Sequence, residues 1–229
     1  MSLAGKGVIA IWQDLTPEAK QDYYEWHNRQ HMPERLSIPG FLRARRFVAI
    51  NGGPEFYTLY EAESHEDVGG KAYLERLNAP TEWTRRIMPA FRNMARSVCR
   101  VVYSAGAGEG GFMMTQRFSL HQEPRVSILA QLCEQILPPL TSLPGVAGVH
   151  FCLADESAST AGTFEKTLRT AEDLTPPYVL MVEGDSCRHV RAAADSISEA
   201  LAPIPLDTAI YQFERGMASC RCPHSPPAV

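Results

Sequence analysis

The residues best suited to chemistry in this sequence are two histidines four residues apart, His27 and His31, in a stretch rich in aromatic and charged side chains. On a helix this spacing places both rings on one face. Imidazole can take up and release protons near pH 7, because its ordinary pKa is about 6.5. Tyr23 and Trp26 could supply apolar walls that receive an aromatic or polyketide-like compound. If the site is catalytic, we therefore predict that His27 or His31 acts as its acid or base.

Two other roles for the histidines stay open. Two neutral imidazoles at this spacing can chelate a transition metal together with Glu34. However, no ligand from another strand or helix can be identified in the sequence, and Met32-Pro33 turns the chain before Glu34 is aligned with the histidines. We therefore predict no metal site. Alternatively, each histidine hydrogen-bonds a backbone carbonyl where the helix meets the Pro39-Gly40 turn. Neither this structural role nor the functional one is favoured for a single histidine.

Four further residues are candidates for the same site. Arg35 follows His31 at the same four-residue spacing and shares its face if the helix continues that far. Tyr60 could join the catalytic residues by donating a hydrogen bond to a carbonyl group, although packing is the commoner role for a strand tyrosine. Arg45 belongs to an arginine cluster that could bind a carboxylate or orient a carbonyl, and we favour a solvated strand end for that cluster. Trp83 could cap a pocket.

The elements that must position these residues can be read from hydrophobic patterns and turn signals. Strand patterns cover residues 7–12, 41–50, 56–61 and 97–104, and helix patterns cover 17–31, 64–77 and 80–94. We expect the first helix to end near His31, because Pro33 lacks an amide hydrogen and disfavours helical geometry before it. The order β-α-β-β-α-β, with an extra helix before the last strand, is the split βαβ pattern of ferredoxin-like domains.

The second half of the chain repeats the pattern without the histidines. Pro144-Gly145 matches Pro39-Gly40 at a shift of 105 residues, and at that shift Leu132 and Ile136 stand where the first half has its histidines. Two four-stranded sheets in one chain can cover each other, so we predict a single-chain α+β barrel of two ferredoxin-like repeats with antiparallel sheets packed face to face. Because the second half builds the same scaffold without the histidines, a second equivalent site is not expected. The second-half strand patterns cover 112–120, 149–154, 178–183 and 208–214, and its helix patterns cover 125–137 and 187–201.

The predicted domain boundaries follow from this repeat. The N-terminal repeat covers residues 5–105, the glycine-rich linker follows, and the C-terminal repeat covers 111–216. The segment 155–177 is about 16 residues longer than the matching first-half loop, and we favour mobility over a function for it. Residues 217–229 read as a disordered tail, and we favour disorder over metal binding by Cys220, Cys222 and His224.

Composition limits the function classes. The formal net charge of −4 gives no general attraction to nucleic acid or anionic lipid, so we predict neither partner. No apolar run is long enough to span a bilayer and no signal sequence is apparent, which favours a cytoplasmic protein with reduced cysteines. The sequence also contains no Gly-x-Gly-x-x-Gly after a strand, no phosphate-binding loop, no Gly-x-Ser-x-Gly and no His-Glu-x-x-His.

Several motifs resemble one group of known proteins. Trp26-His27, His31, Pro39-Gly40-Phe41 and the later Ala79-Pro80-Thr81-Glu82-Trp83 are similar to stretches of the dimeric α+β-barrel superfamily, especially EthD-like proteins. This resemblance implies a pocket between the first helix and its sheet, with His27 and His31 nearest to it. The superfamily includes small monooxygenases, polyketide cyclases, lactone isomerases and haem-handling enzymes, and its dimeric members leave a homodimer open.

These observations predict a small-molecule-binding protein with one site in the N-terminal half. If the protein is an enzyme, we expect cofactor-free proton transfer or oxygenation of an aromatic or polyketide-like compound. The main alternative is a non-enzymatic structural or sensing protein, in which the histidines brace the helix end and side chains fill the pocket. Haem binding through one histidine is a third and less favoured hypothesis.

Overall fold

The structure is a computed structural model that describes residues 3–120 and 125–219. Eight antiparallel strands form one closed barrel, and most side chains along them are buried. The strands are β1 (Gly7–Leu15), β2 (Phe41–Asn51), β3 (Phe56–Ala62), β4 (Phe91–Gly106), β5 (Phe112–Phe118), β6 (Val146–Ala154), β7 (Tyr178–Gly184) and β8 (Asp207–Ala218). Their order around the barrel is β1-β3-β2-β8-β5-β7-β6-β4.

Helices cover the outer face of the barrel. Those of the first half are α1 (Lys20–Trp26), α2 (Met32–Leu36), α3 (His65–Gly69), α4 (Lys71–Asn78) and α5 (Glu82–Ile87). Those of the second half are α6 (Arg125–Gln131), α7 (Leu137–Leu140), α8 (Glu156–Thr160), α9 (Phe164–Thr167) and α10 (Cys187–Ala200). Within the described residues, no helix is long and apolar enough to cross a membrane.

The two halves have the same strand order. The first contributes β4-β1-β3-β2 and the second contributes β8-β5-β7-β6, and the halves join where β2 pairs with β8 and where β4 pairs with β6. Closure leaves no free sheet edge, so all backbone ladders are paired around the barrel. The predicted α+β fold of two ferredoxin-like repeats is therefore confirmed.

The barrel interior is a packed core. All eight strands contribute buried apolar side chains to one cluster that includes Trp12, Tyr57, Met113 and Tyr211. The alternate side chains of the same strands face outward, where the helices cover them; Ile9 and Tyr60, for example, pack in a separate cluster with α2 and α4. Because side chains fill the interior, a ligand site must lie between the barrel and its helices.

Some element boundaries differ from those expected. The predicted helix over 80–94 ends early, because Pro89 cannot donate a helical hydrogen bond and Phe91 already pairs with Leu15 as the first residue of β4. The last strand runs to Ala218, which pairs with Arg43, so the start of the predicted tail is strand. The sequence favours disorder over metal binding for Cys220, Cys222 and His224. These residues lie outside the part of the chain that the structure describes.

Candidate functional site

The two histidines lie on a wide helical turn that follows α1. Residues His27–His31 form a π-helical turn, in which the amide of Met32 donates to the carbonyl oxygen of His27. Such a turn is expected before Pro33, which has no amide hydrogen for the carbonyl four residues earlier. The wider turn accommodates the proline, and the helix continues as α2 beyond the predicted end. It also stacks the rings of His27 and His31, whose centroids are 5.7 Å apart.

The wide turn belongs to the scaffold and not to the histidines. The second half has a π-helical turn at Leu132–Ile136, followed by Pro138 at the position that matches Pro33. There Leu132 is completely buried in an apolar core. The same backbone therefore carries histidines in one half and core side chains in the other.

His27 is fixed from both sides. Arg46 Nη1 lies 2.9 Å from His27 Nδ1, and His27 Nε2 lies 3.3 Å from the hydroxyl of Tyr60. An arginine can only donate, so Nδ1 must accept and a neutral His27 carries its proton on Nε2. Burial first, and then the charges of Arg46, Arg215 and Arg35, lower the pKa of His27 well below its ordinary value. His27 is thus a neutral donor toward Tyr60 at pH 7, and Arg46 occupies the one nitrogen that could accept a proton.

His31 differs from His27 in its hydrogen bonding. Neither ring nitrogen of His31 forms a hydrogen bond with a described residue, and its Nδ1 is buried without a partner. Its ring packs on Trp26, with 4.1 Å between the centroids. Burial first, and then Arg35 and His27, lower the pKa of His31 well below its ordinary value. A neutral ring with no internal hydrogen bond is the side chain in this site best suited to accept a proton.

Tyr60 and Trp26 lie beside the histidines, as expected. Burial raises the pKa of Tyr60 well above its ordinary value, so the phenol stays protonated and can donate. Because the Nε2 proton of His27 points to the Tyr60 oxygen, the Tyr60 hydroxyl hydrogen is free for a ligand. Trp26 is held by a hydrogen bond from its Nε1 to Thr84 Oγ1 of α5, at 3.2 Å.

Three of the predicted binding residues lie outside the cavity. Tyr23 is fully buried behind His27, with its ring stacked on the imidazole at 5.1 Å between centroids. Trp83 donates to Asp22 Oδ1 of α1 at 2.9 Å and does not line the cavity. Arg45 points into the barrel, where Glu183 binds it through two hydrogen bonds of 2.7 and 3.0 Å. Its role as a substrate ligand is therefore not supported by its position.

The arginine cluster on β2 was expected at a solvated strand end, and that expectation is wrong. Arg45 and Arg46 are 1% and 2% exposed. Successive strand residues point to opposite faces, so Arg45 enters the barrel interior while Arg46 faces the helices and holds His27. Arg46 also donates to Glu214 Oε2 of β8 at 2.6 Å. Strand alternation in the sequence separates Arg45 from Arg46, but only the pairing of Ala44 with Tyr60 shows that Arg46 is the arginine on the Tyr60 side.

The long second-half segment lies over the first-half site. We call residues 156–174 the lid; they include α8 and α9. Its ends are attached to β4. The amide of Arg96 donates to the carbonyl oxygen of Leu174, and the amide of Leu174 donates to the carbonyl oxygen of Met94. Near the other end, Ser159 Oγ accepts from the amide of Val98. Its middle is attached by side chains, above all by Glu165, whose Oε1 lies 2.5 Å from Arg35 Nη2. Sequence reasoning did not place this segment at the site.

The cavity lies between the barrel, the π-helical turn His27–His31, α4 and the lid. The space open to water-sized molecules is about 50 Å³, which holds roughly three or four waters at about 10–15 Å³ each. A drug-sized ligand needs on the order of 300–1,000 Å³. An open groove of about 400 Å³ adjoins the cavity and shares Leu74, Ala158 and Ala161 with it. An aromatic ligand therefore fits only when the lid moves.

With the lid closed, neither a metal ion nor haem fits the site. The described residues contain no group of three or more metal-ligating side chains. His27 has both nitrogens engaged and an arginine beside it, and the space of about 50 Å³ beside His31 is far smaller than a haem macrocycle. Neither group is assigned a role.

The fold defines a class of protein, an α+β barrel of two ferredoxin-like halves, and solved structures share it. A candidate monooxygenase from Fusobacterium nucleatum has a TM-score of 0.60 at 8% identity, with 94% of this chain and 96% of that chain covered. An anthrone oxidase-like protein has a TM-score of 0.60 at 12% identity, with 96% of each chain covered. A candidate monooxygenase from Lactobacillus acidophilus has a TM-score of 0.55 at 8% identity, with 93% and 97% covered. At these identities the likeness concerns the fold alone. No protein-family model and no curated protein matches the chain.

Proposed function

We propose that this protein binds a small organic molecule under the lid and removes a proton from a carbon conjugated to a carbonyl group, without a cofactor. The observation that carries the proposal is the ring of His31, which packs at the cavity wall and has no hydrogen-bond partner among the described residues. Its lowered pKa keeps the ring neutral near pH 7, although it also weakens the ring as a base, so the proposal rests on the unpaired nitrogen of His31 at the cavity and not on its pKa.

The reaction assigns a separate role to each neighbouring group. His31 takes the proton, and the electron pair of the C–H bond moves onto the carbonyl oxygen to form an enolate. Tyr60 stays protonated and donates to that oxygen, while His27 holds the Tyr60 hydroxyl in place. Return of the proton to another carbon gives an isomerase. Alternatively, the enolate carbon bonds to dioxygen and takes up the proton to form a hydroperoxide, and loss of water from it leaves a new carbonyl group, which gives an oxygenase.

Anthrone is a suitable probe, because the anthrone oxidase-like neighbour suggests its class and its C10–H is conjugated to a carbonyl. With dioxygen, anthrone yields anthraquinone and water, which balances without a further reductant. In D₂O without dioxygen, the proton-transfer step alone exchanges the C10 hydrogens for deuterium. We expect the protein to accelerate this exchange, and His31→Ala to lower the acceleration by about 10²–10⁴-fold, the usual contribution of a general base.

His189→Ala is the matched control, since His189 lies on α10 in the other half. It should leave the exchange rate unchanged. Exchange no faster with the protein than with free imidazole would overturn the proposal. Equal rates for the native chain and His31→Ala would overturn the role of His31.

One observation favours the non-enzymatic alternative, namely the small volume of the closed cavity. In that case His27 and His31 brace the helix against β2 and β3, and the lid stays closed. The alternative predicts that His31→Ala lowers stability but that no aromatic compound binds to the native chain. The anthrone experiment separates the two, because only the proposed function requires binding.

A further inference from the structure

The charges around the cavity are not balanced. Among the described residues that line it are four cationic side chains and two carboxylates. The cations are Arg35, Arg96, Lys166 and Arg169, and the carboxylates are Glu165 and Asp173. Glu165 pairs with Arg35, and Asp173 pairs with Arg169 at 2.9 and 2.5 Å. The two cations without a carboxylate within 4.0 Å are Arg96 and Lys166.

Arg96 is held in the cavity wall by neutral partners. Its Nη2 donates to Tyr73 Oη at 3.1 Å, and its Nη1 donates to the carbonyl oxygen of Ser159 in the lid at 3.3 Å. A guanidinium has five N–H donors, so Arg96 keeps donors that these two partners do not use. By contrast, Lys166 extends to the carbonyl of Thr160 at the exposed surface of the lid. Arg96 is therefore the cation that the cavity leaves uncompensated.

A second arginine adds an unused donor at the same place. The guanidinium carbons of Arg35 and Arg96 lie 5.8 and 5.7 Å from the centre of the Tyr73 ring. Arg35 is 2% exposed, and its Nη1 is buried without a hydrogen-bond partner. Glu34 Oε2 lies 3.6 Å from this nitrogen, which is too far for a hydrogen bond. Two guanidiniums thus lie within 6 Å of the centre of one ring, and each has donors that no described residue fills.

Unpaired charge and unfilled donors in a partly buried site raise the free energy of the empty protein, and an anionic ligand would remove that cost. The rest of the cavity wall combines uncharged polar side chains, such as Gln13, Thr58 and Thr163, with apolar ones, so it suits a ligand that joins an anion to a hydrocarbon part. The apolar lining residues include Ile11, Leu74, Leu77, Met88, Phe91 and Met94.

We propose that the cavity selects aromatic or polyketide-like compounds that carry a carboxylate, bound by Arg96 and by the free Nη1 of Arg35 beside Tyr73. This inference rests on the proposed function, because it names the substrate class of the same cavity. It assigns Arg96 as a specificity-determining residue, and it places the ligand's carboxylate on the α4 side of the cavity, under the lid.

The test compares two ligands of equal shape on the full chain, 2-naphthoate and its neutral amide 2-naphthamide, by isothermal titration calorimetry. The native protein should bind the acid at least tenfold more tightly, since a charge-assisted hydrogen bond contributes about that factor. Arg96→Met should reduce the ratio to about one. Arg96→Lys should keep part of the preference, which separates loss of the charge from loss of the fold.

Arg100→Met is the matched control, because Arg100 lies exposed on the same strand and the substitution removes the same charge. It should leave the ratio unchanged. Equal binding of acid and amide to the native chain would overturn the carboxylate subsite while leaving the proposed function in place. An equal loss in Arg96→Met and Arg100→Met would also overturn it, since the preference would then reflect overall charge. Binding of neither compound would contradict the proposed function itself.

Discussion

The ion pair between Arg35 and Glu165 should decide how often the lid opens. Both side chains are almost fully buried, and Arg35 Nη2 lies 2.5 Å from Glu165 Oε1. Glu165→Gln removes the negative charge and keeps the shape, so Arg35 is left with only the more distant Glu34. Breaking a buried ion pair costs about 3–5 kcal/mol, and we take about 3 kcal/mol because Glu34 stays close.

This cost falls on the closed lid and not on the barrel, because the middle of the lid is attached by side chains. A loss of about 3 kcal/mol corresponds to roughly a 100-fold increase in the opening constant. Hydrogen exchange of the lid amides, followed by mass spectrometry of native protein, reports this constant directly. We expect peptides from residues 161–172 to exchange roughly 100-fold faster in Glu165→Gln, with peptides from β1 and β3 unchanged.

Two controls make the result specific. Glu156→Gln makes the same chemical change at an exposed lid position and should leave exchange as in the native protein. The pair Arg35→Met with Glu165→Met removes both charges and should restore slower exchange, because no unpaired charge is left buried. Lid exchange in Glu165→Gln that equals the native rate would refute the argument that this ion pair holds the lid closed.

Three further outcomes follow from the burial of groups that can carry a charge. Because the pKa values of His27 and His31 are lowered, the unfolded chain binds more protons below pH 6.5; stability should therefore fall from pH 6.5 to 5 by up to about 1.4 kcal/mol per pH unit for each histidine. In the double variant His27→Gln with His31→Gln, the free energy of unfolding measured with urea should depend less steeply on pH than in the native protein. Burial alone would raise the pKa of Glu183, but hydrogen bonds from His150 and Arg45 hold it at about 2. Glu183→Gln should cost about 3 kcal/mol at pH 7, and the difference from the native chain should shrink as pH falls from 4.5 to 2. Arg46→Met should free His27 Nδ1, and an NMR titration should then place the pKa of His27 higher than in the native protein.

Much of the fold could be predicted from local signals that occur twice. The Pro-Gly turns, the apolar strand runs and the strand order each recur at a similar spacing, and such signals depend on neighbouring residues alone. The position of His27 and His31 on one face, with Trp26 at its border, also followed from helical spacing. The wide turn was not predicted, although Pro33 and its counterpart Pro138 both follow it two residues later.

The rest of the site depends on contacts between residues far apart in the chain. The lid comes from the second half and covers a cavity in the first, and no local pattern in residues 156–174 indicates which surface it will cover. The orientation of the arginines depends on strand register: Ala44 pairs with Tyr60, which puts Arg46 on the same face as Tyr60 and Arg45 on the other. Without the register, Arg45 was the wrong choice for the site.

In the proposed function, His31 contacts a ligand beneath a movable lid. The most direct test is a crystal structure of the native protein grown with anthrone in the absence of dioxygen. We expect a displaced lid, with C10 of anthrone beside the ring of His31 and the carbonyl oxygen within hydrogen-bond distance of Tyr60 Oη. A closed lid over a cavity that holds only water, with anthrone bound elsewhere or not at all, would contradict it.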